Sequence, residues 1–587
     1  MCGIAGISTR PGQAIDAAML ERLTAALAHR GPDGDGQHIE GGVALVHTRL
    51  AIVDLETGEQ PLFDDSGAAL IANGEMYNSP ELRAALPVPF RTQSDCETPL
   101  ALFRKAGAKY PEQLRGMWGI ALHDPERGEL MLSRDPFGIK SLYYCEVPAG
   151  LVFASEAQAL IAAGLVAPRV RPLARDELLA LQFTTGAETI FEGIFRVLPG
   201  ETLTVREGQI VARTRQTALP DGPPEKISEQ AALQRLDAAL VNSVEVHQRS
   251  DVPYGMFLSG GIDSSALLVA MARLNEAPVL AFTAGFDEPG VPDEREHAAV
   301  VAAALGAEHV NVTFSEADFW NLLPAVAGAL DDPVADYAIL PTYKLASRAG
   351  QDLKVVLCGE GGDELLGGYG RYRSARRPWW QGGARPMRRH AALEDAGVLR
   401  APLLGWRAGI AAAELAARGN GRTRLQVAQA TDCADWLPHD LLIKLDRCLM
   451  AHGVEGRTPF LDPVVAEAVF RLPDSLKVRG RLGKWLLRRW LADRLPVAEA
   501  FSRKRGFTVP VATWIARRGK ALGPLVAAQP GVAEICVPEA VCALFANSDS
   551  RRGGGAAWSL LFYALWHQWH VLGRRGEGDI ASALTAP

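Results

Sequence analysis

The chain has 587 residues, which is too many for one hydrophobic core, so two or more domains are expected. Its formal net charge is −7, from 61 basic and 68 acidic residues, and this balance gives no basic footprint for nucleic acid. No apolar run is long enough to span a bilayer, and the N-terminus lacks the pattern of a secretory signal. The eight cysteines are scattered without a CxxC pair, which predicts neither a disulfide framework nor a zinc site. We therefore expect a cytoplasmic protein with no nucleic-acid and no membrane partner.

Residues 2–215 consist mainly of short β-like runs separated by Gly, Pro, Asp and Asn. Runs such as "GGVALVHTRLAIVDL", "GMWGIALHD" and "SLYYCEV" are typical of strands, whereas "AIDAAMLERLTAALAHRG" predicts a helix. This texture predicts a mostly antiparallel β domain with a few helices. The segment "LPDGPPEK", residues 219–226, is the predicted linker to the rest of the chain.

Residues 226–587 have a different pattern. The segment "ISEQAALQRLDAALVNSVEVH" places Leu233, Leu236, Leu240 and Val244 at helical spacing. Three apolar runs, "YGMFLSGG", "PVLAFTAGF" and "LKVVLCGEGG", then alternate with helices, which predicts a parallel sheet flanked by helices. Beyond about residue 375 the composition favours helices.

The chain begins "MCGIAGI", so loss of Met1 would leave Cys2 with both a thiol and a free α-amine. An α-amine has a pKa of roughly 7.7–8.0 and can act as the general base for the thiol of the same residue. A lone cysteine more often is a small buried hydrophobe. The interpretation as a nucleophile therefore depends on residues further along the chain.

Those residues are the ones that acyl transfer from an amino acid needs. The segment "NGEMYN" provides Asn73 and Gly74, whose side-chain amide and backbone N–H suit a developing oxyanion. Arg49 suits a carboxylate and Asp95 an ammonium group. Each residue alone has a structural alternative, such as a surface ion pair for Arg49 or a hairpin turn at Asn73 and Gly74.

Taken together, "MCGIAGI", "HRGPDG", "RLAIVD", "NGEMYN", "SDCE" and "LSRDPFGIKSLYY" resemble the class II glutamine amidotransferase domain, in order along the first part of the chain. The resemblance implies an αββα sandwich of the Ntn-hydrolase type. It also implies that Cys2 hydrolyses glutamine to glutamate and ammonia, with Asn73 and Gly74 as the oxyanion hole. The implied glutamine-binding residues are Arg49, Leu50, Ala51, Ile52, Val53, Asn73, Gly74, Glu75 and Asp95.

A second motif, "LSGGIDSS", lies between an apolar strand and a helix. Its backbone N–H groups and the helix N-terminus attract phosphate, and Ser264 and Ser265 add hydroxyl donors. It is neither a Walker A loop nor a dinucleotide fingerprint. A further loop, "CGEGGDELLGG", carries Glu360, Asp363 and Glu364 after another apolar strand, and such an acidic loop suits Mg²⁺ bound with substrate phosphates.

The first of these loops resembles the PP-loop of ATP pyrophosphatases, with the fold of the adenine nucleotide α-hydrolase-like domains. The resemblance implies that Asp263 and Asp363 hold Mg²⁺ on ATP, that Glu360 manages protons at the reacting centre, and that Lys504 stabilises the leaving pyrophosphate. Asp446, Glu455 and Arg457 are candidates for shaping the acceptor pocket. The ATP-binding residues implied are Leu258, Ser259, Gly260, Gly261, Asp263, Ser264, Ser265, Ala284, Cys358 and Gly359.

Both parts in order resemble glutamine-hydrolysing asparagine synthetases. This resemblance implies conversion of aspartate to asparagine through a β-aspartyl-adenylate, with glutamine, ATP and aspartate as small-molecule substrates and Mg²⁺ as cofactor. It also implies an enclosed passage for ammonia between the sites. Dimers are common among such enzymes, although the sequence does not define an oligomeric state.

Three alternatives stay open from the sequence. One is a related amidotransferase that acts on another carboxylate, in secondary metabolism or surface-polysaccharide modification. Another is a ring-forming relative such as a β-lactam synthetase, against which Cys2 argues because internal amines need no glutaminase. The last is a degenerate scaffold or glutamine-sensing module, which would predict loss of one of the two loops, whereas Cys2, Asn73, Asp263 and Asp363 are all present.

Overall fold

The computed structural model describes residues 2–291, 293–377, 380, 383, 385–502, 509–576 and 578–585. Lys504, predicted to act on the leaving pyrophosphate, lies outside these residues.

Short strands dominate the N-terminal part, as the sequence predicts, and the helix predicted near residue 20 is present. The strands are β1 (Gly3–Thr9), β2 (Gly34–Glu40), β3 (Val43–Arg49), β4 (Leu62–Phe63), β5 (Ala69–Met76), β6 (Gly116–Asp124), β7 (Glu129–Arg134), β8 (Tyr143–Val147), β9 (Gly150–Ala154), β10 (Ile194–Arg196), β11 (Glu201–Arg206) and β12 (Gln209–Arg215). The α-helices are α1 (Ala17–Leu27), α2 (Ser79–Ala85), α3 (Thr98–Ala106), α4 (Ala157–Ala162) and α5 (Pro172–Leu181).

These strands form two antiparallel sheets of six strands each, in the orders β10-β8-β9-β1-β3-β2 and β12-β11-β7-β6-β5-β4. Side chains such as Ile4, Leu45, Ile71 and Phe153 fill the space between the sheets. Because successive strand residues point to opposite faces, the alternate positions pack outward against helices. Helices α1, α4 and α5 cover the first sheet and α3 covers the second. The predicted αββα sandwich is therefore confirmed.

The second part is built on a parallel sheet, as predicted, in the order β15-β14-β13-β16-β17. Its strands are β13 (Tyr254–Phe257), β14 (Leu280–Phe286), β15 (Glu308–Phe314), β16 (Val355–Leu357) and β17 (Glu455–Arg457). Both faces are buried, since Val355 joins one apolar core and its neighbour Val356 joins the other.

Helices surround this sheet and make up most of the C-terminal region. They are α6 (Glu229–His247), α7 (Ile262–Leu274), α8 (Arg295–Ala304), α9 (Glu316–Ala329), α10 (Ile339–Ala349), α11 (Gly362–Leu366), α12 (Gly370–Ala375), α13 (Ala408–Ala416), α14 (Arg424–Thr431), α15 (Leu442–Met450), α16 (Pro463–Val469), α17 (Asp474–Lys477), α18 (Trp485–Arg494), α19 (Val511–Ala527), α20 (Pro530–Ala533), α21 (Pro538–Ala546), α22 (Arg551–His570) and α23 (Ile580–Thr585). A π-helical segment, Asp432–Leu441, leads into α15.

Helix α6 illustrates how the sequence pattern becomes packing. Ser228 caps it by accepting a hydrogen bond from the backbone of Ala231, and Leu236, Leu240 and Val244 form its buried stripe. Within the described residues, none of the helices combines the length and the apolar character that a membrane crossing requires.

Buried ion pairs join the two parts. Arg30 Nη1 lies 2.7 Å from Glu156 Oε1 and 2.8 Å from Asp446 Oδ2. Arg196 Nη2 lies 2.6 Å from Asp332 Oδ1. All of these side chains are almost fully buried. Since a buried charge without its partner is costly, these contacts fix the relative position of the two parts.

Candidate active sites

Cys2 lies directly before β1, in the middle of the first sheet, and is buried. Its backbone N–H donates to Asn73 Oδ1 at 3.2 Å, and its carbonyl accepts from Arg30 Nε at 3.2 Å. Burial raises the pKa of the Cys2 thiol, whereas a hydrogen bond from the backbone of Leu50 lowers it. The thiol therefore needs a base for its proton, and the α-amine of the same residue can act as that base once Met1 is removed.

Asn73 and Gly74 lie on β5, on the side of the site opposite β1. The Asn73 side chain is fully buried, and its Nδ2 has no hydrogen-bond partner among the residues that the structure describes. A Cβ at Gly74 would overlap the carbonyl oxygen of Met117 on β6, so this close strand contact requires glycine. A buried amide donor with its oxygen already engaged by Cys2 is suited to receive an oxyanion.

Next to these residues is a small cavity of about 30 Å³. It is lined by Cys2, Arg49, Leu50, Ile52, Val53, Gly58, Gln60, Gly74, Glu75, Ser94, Asp95 and Cys96. Among the predicted glutamine-binding residues, Asn73 and Ala51 do not line the cavity. Asn73 is next to it through its hydrogen bond with the backbone N–H of Cys2. The Ala51 backbone turns outward instead, donating to Asp33 Oδ2 at 2.8 Å and accepting from Lys354.

The cavity brings together the basic side chain of Arg49 and the acidic side chains of Glu75 and Asp95. Asp95 accepts a hydrogen bond from the backbone of Met76 at 2.5 Å, and burial raises its pKa to about 6. Burial also raises the pKa of Glu75, against the charge of Arg457. The Arg49 guanidinium donates to the carbonyl oxygen of Asp54.

Arg457 lies on β17 of the second part and contacts Glu75 of this cavity. Its Nη2 lies 3.1 Å from Glu75 Oε1, and its Nε lies 2.6 Å from Glu455 Oε1. Burial alone would raise the pKa of Glu455, but the charges of the N-terminal amine, Arg457 and Lys140 lower it. Asp446, Glu455 and Arg457, predicted to shape an acceptor pocket, do not line the second pocket of the chain. Asp446 and Arg457 pair instead with Arg30 and Glu75 of the first part, and a role at an acceptor stays a prediction.

That second pocket, of about 280 Å³, lies at the carboxyl ends of the adjacent strands β14, β13 and β16. This is the edge where open parallel sheets bind ligands. The pocket is lined by Phe257, Leu258, Ser259, Asp263, Ser264, Phe282, Ala284, Ala338, Thr342, Leu345, Cys358, Gly359, Glu360, Gly361, Asp363, Glu364, Tyr369, Leu441 and Lys444.

Residues 259–265, here called the phosphate loop, turn from β13 into α7. Gly260 has a φ of 64°, a conformation that favours glycine. Ser264 Oγ accepts from the backbone of Ser259 at 3.2 Å and so holds the turn closed. Ser259, Asp263 and Ser264 line the pocket, whereas Gly260, Gly261 and Ser265 do not, and Ser265 is fully buried.

The two predicted magnesium ligands, Asp263 and Asp363, both contact the ammonium group of Lys484. Lys484 Nζ lies 2.7 Å from Asp363 Oδ1 and is also bonded to Asp263 Oδ2. The charges of Asp263 and Asp363 raise the pKa of Lys484 against the effect of burial. Sequence reasoning missed Lys484, because a single Gly-Lys before a helix carries no distinctive signal.

This donor set fits a magnesium ion. Asp263 and Asp363 come from different loops yet both reach a single positive centre. The surrounding backbone is glycine where a side chain would intrude, since a Cβ at Gly362 would lie 2.5 Å from Asp263 Oδ1 and one at Gly368 would overlap Asp363. Two carboxylates with room beside them match how Mg²⁺ binds together with phosphate oxygens.

At the inner end of the pocket, burial raises the pKa of Glu360 and of the Cys358 thiol. Lys444 also lines the pocket and lies 2.9 Å from Asp336 Oδ2. The pocket wall therefore carries both signs of charge in addition to the acids of the metal site.

The chain carries two sites, one at the N-terminal cysteine and one at the phosphate-loop pocket. Together they define a glutamine-dependent amidotransferase. Sequence comparison agrees. The family described as glutamine amidotransferase domain matches residues 1–216, and the family described as asparagine synthase matches residues 235–570. The chain thus belongs to the asparagine synthase family and is an enzyme of the glutamine-hydrolysing type.

Several curated relatives match over most of their length. Glutamine-hydrolyzing asparagine synthetase 1 of Bacillus subtilis is 31% identical over 620 residues, covering 97% of this chain and 97% of that protein. Asparagine synthetase B of Escherichia coli is 28% identical and covers 88% of this chain and 83% of that protein. "Amidase chry2" of Gibberella zeae is 29% identical and covers 82% and 84%.

Proposed function

We propose that this enzyme transfers the amide nitrogen of glutamine to aspartate, with ATP cleaved to AMP and pyrophosphate, and so forms asparagine through a β-aspartyl-adenylate. The observation that carries the proposal is the pairing of the Cys2 cavity with the phosphate-loop pocket, joined by buried contacts between the parts.

In the first site, we assign Cys2 as the nucleophile. Once Met1 is removed, the α-amine takes the thiol proton while Asn73 Oδ1 orients it. Sulfur attacks the glutamine amide carbon, and Asn73 Nδ2 with the Gly74 N–H receives the negative charge on oxygen. Ammonia leaves with the proton, and water hydrolyses the thioester to glutamate.

Arg49 then holds the glutamine carboxylate, and Glu75 with Asp95 holds its ammonium group. The support is that all three line the cavity next to Cys2. Cys2 at its end would meet the side-chain amide of a bound glutamine.

In the second site, the phosphate loop and the N-terminus of α7 bind the ATP phosphates. Asp263 and Asp363 would hold Mg²⁺, which neutralises phosphate charge when bound. Glu360 accepts a proton as ammonia attacks, a role for which a raised carboxyl pKa is suited.

Aspartate as the acceptor is supported by the charges at the inner end of this pocket. An amino acid with two carboxylates and an ammonium needs both signs of charge. Lys444, with Asp336 against it and Glu360 on the same wall, provides them. A simple carboxylate would need only the lysine.

A second candidate is an amidotransferase for another carboxylate. It is favoured by the likeness to proteins named amidases, among them chry2 and, at 32% identity, chyE of Penicillium rubens. The two candidates differ only in the acceptor.

The test supplies glutamine labelled with ¹⁵N in its amide, ATP, Mg²⁺ and aspartate, and measures labelled asparagine, AMP and pyrophosphate in equal amounts. Glutaminase activity without asparagine would overturn the aspartate proposal, and a panel of other carboxylates would then identify the acceptor.

Transfer without loss to solvent requires an enclosed route, since ammonia in neutral water is protonated and unreactive. The support for one is the buried polar contact between the sites, which includes Arg30, Lys140 and Asp446. Unlabelled ammonium, added at a concentration too low to support ammonium-dependent synthesis by itself, should not dilute the ¹⁵N in the product; dilution under that condition would contradict an enclosed route.

A further inference from the structure

A cluster of three potential metal ligands lies at one end of the sandwich, apart from both active sites. One ligand atom each of His38, Glu40 and His123 lies within 4.8 Å of the other two. His38 and Glu40 are two residues apart on β2 and therefore share a face of that strand. His123 comes from β6 of the opposite sheet, where it pairs with Ala69 and Leu130.

The most buried member has no partner for one of its polar atoms. His123 is only 1% exposed, yet its Nδ1 has no hydrogen-bond partner in the described parts of the chain. Such an orphaned atom in a folded interior calls for an explanation.

The other two members are already in place and reachable from solvent. His38 Nε2 lies 3.3 Å from Glu40 Oε2, and their side chains are 21% and 47% exposed. The Phe63 ring packs edge-on against His38 with centroids 5.0 Å apart and limits its rotation. Glycines at 41 and 42, both with positive φ, form the adjacent turn, and Gly41 places no side chain against the His123 ring.

We propose that His38, Glu40 and His123 bind one divalent transition-metal ion of the zinc class, with water in the remaining position. Two imidazoles and one carboxylate favour such an ion over Mg²⁺. Ligand nitrogens about 2.0–2.1 Å from a metal in tetrahedral geometry are about 3.3 Å apart, so the cluster needs only to contract. The scattered cysteines argue against a cysteine-based zinc site, and this cluster contains none.

The bound ion links the two sheets at their open end. Strand β2 is the edge strand of its sheet and is largely exposed, whereas β6 is inside the other sheet. A ligand that binds only the folded protein stabilises it by mass action. Metal binding therefore strengthens the glutaminase part without contact to glutamine or ATP.

The test uses the full chain carrying Cys2→Ala, so that no terminal thiol and amine chelate the metal. After treatment with a chelator, Zn²⁺ is titrated by calorimetry in excess Mg²⁺, and Co²⁺ is followed by its visible absorption. One equivalent should bind, and Zn²⁺ should raise the unfolding temperature.

Glu40→Gln keeps the shape of an exposed side chain and should weaken Zn²⁺ binding at least tenfold. His38→Ala should do the same, and both should remove the Zn²⁺-induced rise in unfolding temperature. His390→Ala, at an exposed histidine far along the chain, is the matched control and should change neither. Absence of stoichiometric binding, or equal binding by Glu40→Gln and His38→Ala, would overturn the proposal.

Discussion

The two active sites hold their charges in different ways. In the glutamine cavity, Glu75 is paired with Arg457 from the other part of the chain. In the nucleotide pocket, Asp263 and Asp363 are paired with Lys484 from the same part. The first site therefore depends on the contact between the parts, whereas the second is self-contained. Disturbing that contact should affect glutamine use before it affects synthesis.

The largest separation of the two activities should come from Cys2→Ala. Without the sulfur, glutamine-dependent synthesis should fall by roughly 10³-fold or more, because no covalent intermediate can form. Synthesis from added ammonium should stay near the parent rate, measured as AMP release. Cys542→Ala, at a free cysteine on α21, is the control and should leave both activities intact. Full glutamine use by Cys2→Ala would show that the nucleophile is elsewhere.

The reverse separation should come from Asp363→Asn. Loss of one carboxylate should lower synthesis by about 10²-fold or more with either nitrogen source, since phosphate charge is no longer neutralised. Glutamine hydrolysis should persist, measured as glutamate release. The exposed Asp493→Asn is the matched control. Equal loss of glutaminase activity in Asp363→Asn would contradict a self-contained pocket.

Arg457→Met tests the dependence of the glutamine site on the contact between the parts. It leaves Glu75 buried without its partner, which should lower the free energy of unfolding by about 3–5 kcal/mol and raise the KM for glutamine about tenfold. Ammonium-dependent synthesis should change little. Urea unfolding and steady-state kinetics measure both effects.

Arg213→Met removes an arginine that is 46% exposed and paired with Glu201, so it should cost far less and serves as the control. Because Arg457→Met is expected to destabilise the fold, Arg457→Lys serves as a second variant that keeps the charge and should restore part of the glutamine affinity. An equal loss of ammonium-dependent synthesis would break the distinction between the sites.

The smallest effect is a pH dependence. With a pKa of about 6, Asp95 is ionised above that pH and protonated below it, and only the ionised form attracts the glutamine ammonium. Between about pH 7 and about pH 5 the KM for glutamine should therefore rise about tenfold. Asp95→Asn should have a high KM that no longer depends on pH in this range. An unchanged dependence in Asp95→Asn would assign it to another group.

Local sequence patterns predicted the character of both parts and supplied candidate residues for both sites. Alternation and turn residues predicted a mostly antiparallel β domain, the resemblance of the motifs implied the sandwich, and apolar strands with intervening helices predicted the parallel sheet. Cys2, Asn73, Asp263 and Asp363 could be chosen because each is in a short motif whose chemistry depends on neighbours in the chain.

Residues that act across long separations could not be found this way. Arg457 was named only as a candidate for the acceptor pocket; its contact with Glu75, more than 380 positions away, could not be predicted because nothing near it in the sequence points to a carboxylate in another domain. Lys484 follows a glycine before α18 in a segment rich in arginine, where one more cation carries no signal. The proposed metal ligands His38, Glu40 and His123 could not be predicted for the same reason, because β2 and β6 come together only when the two sheets pack.

The bridge from Lys484 to Asp263 and Asp363 has a consequence for the resting enzyme. Two bare carboxylates so close would repel each other and push α7 and α11 apart. The ammonium acts as a built-in counter-ion that keeps the mouth of the pocket assembled between turnovers. Mg²⁺ bound by Asp263 and Asp363 would then take the place of the Lys484 ammonium at two carboxylates that are already held together.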